Sequence, residues 1–228
     1  VPQKSLKAKT FDLLIHFNGA PYVTEFAATK YSGDMIGGTL SVGSGSKVYN
    51  DAFQDSAKFK VLVDSIIAET KKQLKHEVKL RRVILSGFSA GYGAIRRIIS
   101  SKWNFERVDV ILLLDGFHTS YIPERKVLAE GGRIDSTGLL LYIKYAQDAT
   151  AKQSRKRFLI THSEIFPGTF VSTTEATDYL LHTFSMMRTP VLKWGPLGMQ
   201  QLSSSRRNHF AVYGFAGNTA RDHVDHLQ

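Results

Sequence analysis

The sequence contains no cysteine, which excludes disulfide bonds and thiolate metal sites and leaves the redox compartment unassigned. It also has no long hydrophobic run, because apolar stretches such as Val110–Leu114 are far too short to span a bilayer. Neither a Gly-, Ser- or Pro-rich linker nor a repeat or low-complexity tract interrupts the 228 residues. We therefore expect a single soluble domain over residues 1–228, with no transmembrane segment.

The chain begins at Val1 and not at Met, which suggests either a removed leader or a trimmed N-terminus. A secreted or processed protein is one expectation from this feature, and the compartment is left open. Hydrophobic residues make up 43% of the chain, enough to fill a sizeable core.

Basic residues exceed acidic ones by 30 to 20, giving a net charge of +10. The excess is spread over several clusters, including residues 71–82 and 152–157. Such clusters attract nucleic acid or other anionic surfaces. Most aromatic residues lie within apolar runs and not among the lysines, which disfavours a nucleic-acid partner. We interpret the charge as a solvated basic surface, with an anionic surface as the alternative partner.

Strand and helix patterns alternate along the chain, and the strand runs are continuously apolar. This combination predicts an α/β fold with a mostly parallel sheet covered by helices on both faces. The predicted strands are Phe11–Phe17, Gly38–Val42, Arg82–Ser86, Val108–Leu114, Phe158–Thr161 and Phe210–Gly214. The predicted helices cover residues 55–76, 91–101 and 172–182, the last opened by a Ser172–Glu175 capping box. Active sites of such sheets lie at the carboxyl ends of the strands.

A G-x-S-x-G pattern, Gly87-Phe88-Ser89-Ala90-Gly91, follows the third predicted strand and precedes a helix. This is the arrangement of a nucleophile elbow, a turn so sharp that the residues two before and two after the serine must be small. The serine hydroxyl would then sit at a helix N-terminus, where negative charge is favoured. We therefore predict Ser89 as a nucleophile.

A nucleophilic serine needs an imidazole to take its proton and a carboxylate to orient that imidazole. Asp115 follows the strand Val108–Leu114, and Glu164 follows the strand Phe158–Thr161, so either can be the acid. His223 and His226 follow the last strand, and either can be the base. We place Asp115 and His223 in these roles and keep Glu164 and His226 as the alternatives.

Three other histidines have different predicted roles. His118 and His162 lie near strand carboxyl ends and are expected to line a pocket, whereas His209 precedes the last strand and is expected to be structural. The spacing matches no H-x-x-x-H, H-E-x-x-H or comparable metal motif. We therefore expect no metal and no cofactor.

With these residues in the order Ser, acid, His, the chain resembles an α/β-hydrolase-fold serine hydrolase of the esterase/lipase type. The resemblance covers nearly the whole chain and implies an acyl-enzyme mechanism without a metal or cofactor. It also implies an oxyanion hole formed by the backbone N–H of Ala90 and that of Phe17 or Asn18, with His16 beside it. In the family the acid more often follows the later strand, where Glu164 stands, and a minority place it one strand earlier, at Asp115.

The chain departs from the family pattern at both ends, since few residues precede the first strand and little of the usual final helix follows His226. Residues 118–157 are long enough for either a lid or a crossover helix with a loop, and the segment Trp194–Met199 is expected to form a loop with an aromatic wall. The expected substrate is a small-molecule or polymeric carboxylic ester. Alternatives are an amide, thioester or peptide substrate for the same triad, or a non-catalytic binding protein.

Overall fold

The computed structural model describes residues 1–227 and shows an α/β fold, in which an eight-stranded, mostly parallel sheet is flanked by helices. The predicted fold class is thereby confirmed. The chain divides into two compact units, residues 1–112 and residues 113 onward, and the strand Val110–Leu114 spans the boundary. The expectation of a single hydrolase domain stays a prediction.

The first unit has the strand order β2-β1-β3-β4, with β1 parallel to both β2 and β3. Most buried residues of its strands are apolar, as expected for a parallel sheet with both faces covered, and Asp12 and His16 in β1 are buried polar exceptions. Its elements are β1 (Thr10–Phe17), α1 (Pro21–Lys30), β2 (Met35–Leu40), α2 (Ser46–Ala52), α3 (Ala57–Leu74), β3 (Lys79–Phe88), α4 (Tyr92–Ile98), α5 (Lys102–Arg107) and the start of β4 (Val110–Leu114).

The second unit has the strand order β4-β7-β10-β9-β8 and a separate two-stranded sheet of β5 and β6. Strands β7 and β10 are parallel, whereas β9 and β8 add on in antiparallel fashion. Its further elements are β5 (Tyr121–Ile122), β6 (Arg133–Ile134), α6 (Leu140–Ala149), β7 (Arg157–His162), α7 (Thr173–Thr183), β8 (Thr189–Trp194), β9 (Gln200–Arg207), β10 (Phe210–Phe215) and α8 (Ala220–Asp225).

Most of the buried strands lie where the sequence predicts them, whereas several peripheral elements do not. The capping box at Ser172 is confirmed, since its hydroxyl accepts from the backbone N–H of Glu175. The predicted strand Gly38–Val42 is wrong in its bounds, because the strand runs over Met35–Leu40. Part of the expected loop Trp194–Met199 belongs to a hairpin, with Trp194 as the last residue of β8. No helix among residues 1–227 combines the length and apolarity needed to cross a membrane.

The buried carboxylate of Asp12, in β1, is the centre of an ion cluster in the first unit. Its oxygens accept from Arg81 Nε at 2.8 Å, from Arg82 Nη2 at 2.6 Å and from the Tyr31 hydroxyl at 2.7 Å. Burial by itself raises the pKa of Asp12, but the hydrogen bonds from the two arginines hold it well below its usual range. The cluster therefore links three parts of the first unit through the charge of one carboxylate. These parts are β1, β3 and Tyr31, the residue that follows α1.

Replacing Asp12 by Asn should lower the free energy of unfolding at pH 7 by about 2–4 kcal/mol, because two partly exposed arginines lose a buried partner. The pKa of Asp12 is lower in the folded than in the unfolded chain, so this contribution is complete above the ordinary value of 3.8 and is lost as the pH falls below it. Urea unfolding of both proteins at pH 7 and near pH 3 measures the difference. The matched control is Asp64→Asn, which removes an exposed helical pair with Lys60 and should cost about 0.5 kcal/mol or less.

Candidate active site

Ser89 lies at a sharp strand-to-helix turn in the first unit. Strand β3 ends at Phe88, a short 3-10 turn covers Ser89–Gly91, and α4 begins at Tyr92. The backbone φ of Ser89 is +48°, a left-handed value that is uncommon for a residue with a side chain. Such a conformation costs free energy and is concentrated at functional sites. The strand, turn and helix that the sequence predicts around Ser89 are all present in the structure.

The two glycines of the motif are required by close backbone approaches. A Cβ at Gly87 would lie 2.9 Å from the carbonyl carbon of Gly91 and 3.0 Å from Ile95. A Cβ at Gly91 would lie 2.3 Å from the carbonyl oxygen of Phe17, closer than any real contact. The turn at Ser89 can therefore pack against the end of β1 only because both positions lack a side chain.

The loop after β1 is held against the elbow by the side chain of Asn18. Its Nδ2 donates to the carbonyl of Phe88 at 3.0 Å, and its Oδ1 accepts from the Tyr49 hydroxyl at 3.1 Å. The backbone N–H of Asn18, however, donates to the carbonyl of Leu40 at 3.1 Å and is therefore occupied. The oxyanion-donor roles of Ala90 and of Phe17 or Asn18 stay predictions.

His16, next to this loop, is a core histidine. Its side chain is buried, and Nδ1 lies 3.0 Å from the Ser86 hydroxyl. Burial lowers the pKa of His16 to about 4, so the ring is neutral near pH 7. Its Nε2 faces Gly19, where a Cβ would approach to 2.4 Å. His16 therefore supports the loop from within the core.

Asp115 stands directly after β4 in the second unit and is almost completely buried. Its φ is +44°, again a left-handed value at the carboxyl end of a strand. Ser163, the residue after β7, donates to the carboxylate twice, from its backbone N–H at 2.9 Å and from its hydroxyl at 2.6 Å. The backbone N–H of Asp115 donates to the carbonyl of Thr161 at 2.9 Å. The carboxylate is thus fixed by the neighbouring strand.

The remaining partner of Asp115 is His223, whose Nδ1 lies 2.7 Å from Oδ2. Burial by itself raises the pKa of Asp115, but the hydrogen bond from His223, the nearby His226 and the two bonds from Ser163 more than offset it and lower the pKa to about 2. Asp115 is therefore ionised at neutral pH and can only accept. The proton of the imidazole is then on Nδ1, which directs Nε2 away from the carboxylate.

His223 follows the last strand, as expected, and lies on the short helix α8. Thr219 caps the helix, with its hydroxyl accepting from the backbone N–H of Asp222 at 3.3 Å, while the Asp222 carboxylate accepts in return from the N–H of Thr219 at 2.8 Å. The signal for this capping box is present in the sequence as Thr219-x-x-Asp222. The box fixes the start of the helix that carries His223.

The structure gives the two alternative residues other partners. Glu164 is exposed, and its carboxylate accepts from the backbone N–H of Gly217 at 3.4 Å. The Nδ1 of His226 lies 2.8 Å from the Thr161 hydroxyl, and its ring packs edge-on against Phe215. Among residues 1–227, the acid that pairs with a histidine in this unit is Asp115. His209 interacts with the carbonyl of Lys152 at 3.3 Å, before β10.

His162 supports the acid indirectly and is not a free pocket residue. Arg188 donates to its Nε2 at 2.8 Å, so the proton must be on Nδ1, which donates to the carbonyl of Ser163 at 2.9 Å. Burial and the Arg188 charge lower the pKa of His162 to about 4. The hydrogen bonds that run from Arg188 through His162 to Ser163 thus orient Ser163, which donates two hydrogen bonds to Asp115. Ser163 is absent from the residues predicted from the sequence, and its signal there is its position in the loop that follows the predicted strand Phe158–Thr161.

His118 follows Asp115 by three residues and faces the loop after β7. Its Nδ1 lies 3.0 Å from the carbonyl of Val171, and its ring packs edge-on against Phe170 at 5.0 Å. Burial lowers its pKa, so the ring is neutral near pH 7.

Among residues 1–227, no group of three or more His, Asp or Glu side chains is gathered closely enough to hold a metal ion.

No protein-family model matches the chain, and no curated protein matches it either. These two comparisons therefore add nothing to what the two local arrangements indicate. One is an elbow serine in a left-handed conformation, and the other is a buried carboxylate bonded to an imidazole. Their chemistry alone carries the functional interpretation.

Replacing Gly91 by Ala should destabilise the protein by about 1–3 kcal/mol, because the new Cβ must displace the carbonyl of Phe17. Thermal unfolding followed by circular dichroism measures the loss. Gly38→Ala in β2 is the matched control, since a Cβ there meets only Ile66 at an ordinary 3.7 Å. Equal stability of the Gly91 and Gly38 variants would contradict the close packing described for the elbow.

Proposed function

We propose that the protein is a serine hydrolase that cleaves carboxylic esters through an acyl-enzyme intermediate. The observation that carries the proposal is the 2.7 Å contact between the buried Asp115 carboxylate and His223 Nδ1. A carboxylate held in this way fixes one imidazole tautomer and stabilises the imidazolium that forms during catalysis. The Ser89 elbow supplies a residue that such a pair is suited to activate.

In the proposed first step, Nε2 of His223 takes the proton of the Ser89 hydroxyl while Oγ attacks the ester carbonyl carbon. The carbonyl oxygen becomes an oxyanion, and the backbone N–H of Ala90, at the start of the 3-10 turn, donates to it together with that of Phe17. When the intermediate collapses, the bond to the alcohol oxygen breaks and His223 gives its proton to the leaving alcohol. Ser89 is then acylated.

In the second step, water attacks the acyl carbon while Nε2 of His223 takes a proton from it. The bond to Ser89 Oγ breaks, His223 returns the proton to the serine, and the carboxylic acid leaves. Asp115 stays ionised throughout, consistent with its lowered pKa of about 2. The proposal requires His223 Nε2 to reach Ser89 Oγ, which the following variants test.

Ser89→Ala should remove labelling by a fluorophosphonate probe and lower kcat for p-nitrophenyl acetate by a factor on the order of 10^4, because the nucleophile and base act as one unit. Intact-mass measurement after probe incubation detects the covalent adduct. Ser65→Ala, which replaces an exposed serine of α3, is the matched control and should be labelled like the parent. Unlabelled parent protein, or a labelled Ser89→Ala variant, would contradict the assignment and favour a non-catalytic role.

Asp115→Asn should lower kcat by about 10^3- to 10^4-fold, since an amide favours the wrong imidazole tautomer, and His223→Gln should lower it at least as much. The controls are Glu164→Gln and His226→Asn, which alter the two alternative residues and should keep kcat within about tenfold of the parent. Thermal unfolding of all four variants separates loss of folding from loss of catalysis. Inactivity of Glu164→Gln with an active Asp115→Asn would assign the acid to the loop after β7.

A further inference from the structure

The hairpin of β8 and β9, together with Met187 just before it, carries an unusual concentration of exposed apolar side chains. Met187 is 86% exposed, Trp194 72% and Leu192 70%, the three highest values for large apolar residues among residues 1–227. Leu197, in the turn between the two strands, follows at 61%. Single exposed apolar residues are ordinary, but four within eleven positions mark an interaction surface. We call these four residues the apolar edge.

One of these exposed residues, Leu197, lies in the turn of the hairpin with an energetically unfavourable backbone conformation. Leu197 has a φ of +55°, a left-handed value that is unfavourable for a branched residue. Its neighbour Gly198 also has a positive φ, and the backbone N–H of Gly195 donates to the carbonyl of Met199 at 2.7 Å across the turn. Backbone strain is concentrated at functional positions, and the exposure of this leucine leaves it accessible to contact from outside the chain.

The edge strand is poorly suited to pair with a strand of a second copy. Pro190 has no N–H to donate, and the pairing register of β8 shifts between Pro190 and Lys193. Lys193 is exposed and lies between the two apolar residues Leu192 and Trp194. Proline, a bulge and an edge lysine are the features by which natural sheets block strand addition. The net charge of +10 opposes association of two copies as well.

The same features suit the surface of a lipid bilayer. Tryptophan prefers the interface between headgroups and acyl chains, and leucine and methionine gain by entering the acyl region. The net charge of +10 favours an anionic surface at longer range.

From these observations we infer that the apolar edge is a docking surface for an anionic lipid bilayer, into which Trp194, Leu192 and Leu197 insert. The inference does not depend on the proposed hydrolase activity. A groove borders the hairpin turn, lined by Trp194, Leu197 and Met199 and by Arg221, Asp222 and Asp225 from α8. Because the charges there are mixed, insertion of apolar groups carries most of the binding and electrostatic attraction the smaller part.

The test uses Trp194 as its own reporter. The chain has two tryptophans, so Trp103→Phe leaves Trp194 as the only one. On vesicles of equal parts phosphatidylcholine and phosphatidylglycerol, its emission should shift to shorter wavelength and become protected from acrylamide. Pure phosphatidylcholine vesicles should give a weaker response. Adding Leu192→Ser and Leu197→Ser should lower the partition coefficient by about tenfold or more, because two apolar side chains no longer enter the bilayer.

Val61→Ser is the matched control, because Val61 is also 61% exposed but lies on α3. It should bind vesicles like the parent. Absence of any emission shift, or equal binding by the double-serine variant, would overturn the inference. If the emission of Trp194 already lies at short wavelength without vesicles, and sedimentation gives a dimeric mass, the apolar edge contacts a second copy of the chain instead of a bilayer.

Discussion

A single buried carboxylate sets the requirements for the second unit. Asp115 is only 4% exposed, and a charge in such a place is unstable unless every oxygen is matched by a donor. The donors are Ser163, which is held at the end of β7, and His223, which is held on α8 by a capping box. The segments after β4, β7 and β10 must therefore converge on one point. The left-handed backbone of Asp115 is the local cost of that convergence.

In the second unit, charged partners determine which nitrogen of His162 and of His223 carries the proton. Arg188 cannot give up its proton, so its contact with His162 forces the proton of that ring onto Nδ1 and toward Ser163. Asp115 imposes the same choice on His223 by accepting only. Two imidazoles in one unit are thus held in defined tautomers by fixed charges. In the proposed reaction, such an arrangement requires no rearrangement of protons before His223 Nε2 accepts one.

Much of the fold and of the candidate site can be predicted from the sequence, for identifiable reasons. Buried parallel strands are continuous apolar runs, and the elbow needs glycine at Gly87 and Gly91 whatever surrounds it. The hairpin of β8 and β9 is missed because β9 consists largely of glutamine, serine and arginine and β8 is exposed, so neither has the burial that produces a pattern. The backbone bond from Asn18 to Leu40 could not be predicted, because it depends on the register of β2, which no local pattern specifies.

Apolar residues have two roles in this chain: some fill the core of the sheet, and others are exposed on the hairpin of β8 and β9. Leucine and phenylalanine in β1 or β3 lie in runs and are buried, whereas Leu192, Trp194 and Leu197 alternate with lysine, glycine and proline and are exposed. Composition cannot distinguish them, because the hydrophobic fraction counts both alike. What distinguishes them is the neighbouring backbone: a proline and a bulge prevent a further strand from covering the edge. The exposed surface therefore persists because the edge is protected against pairing, which leaves it available to a partner that needs no backbone hydrogen bonds.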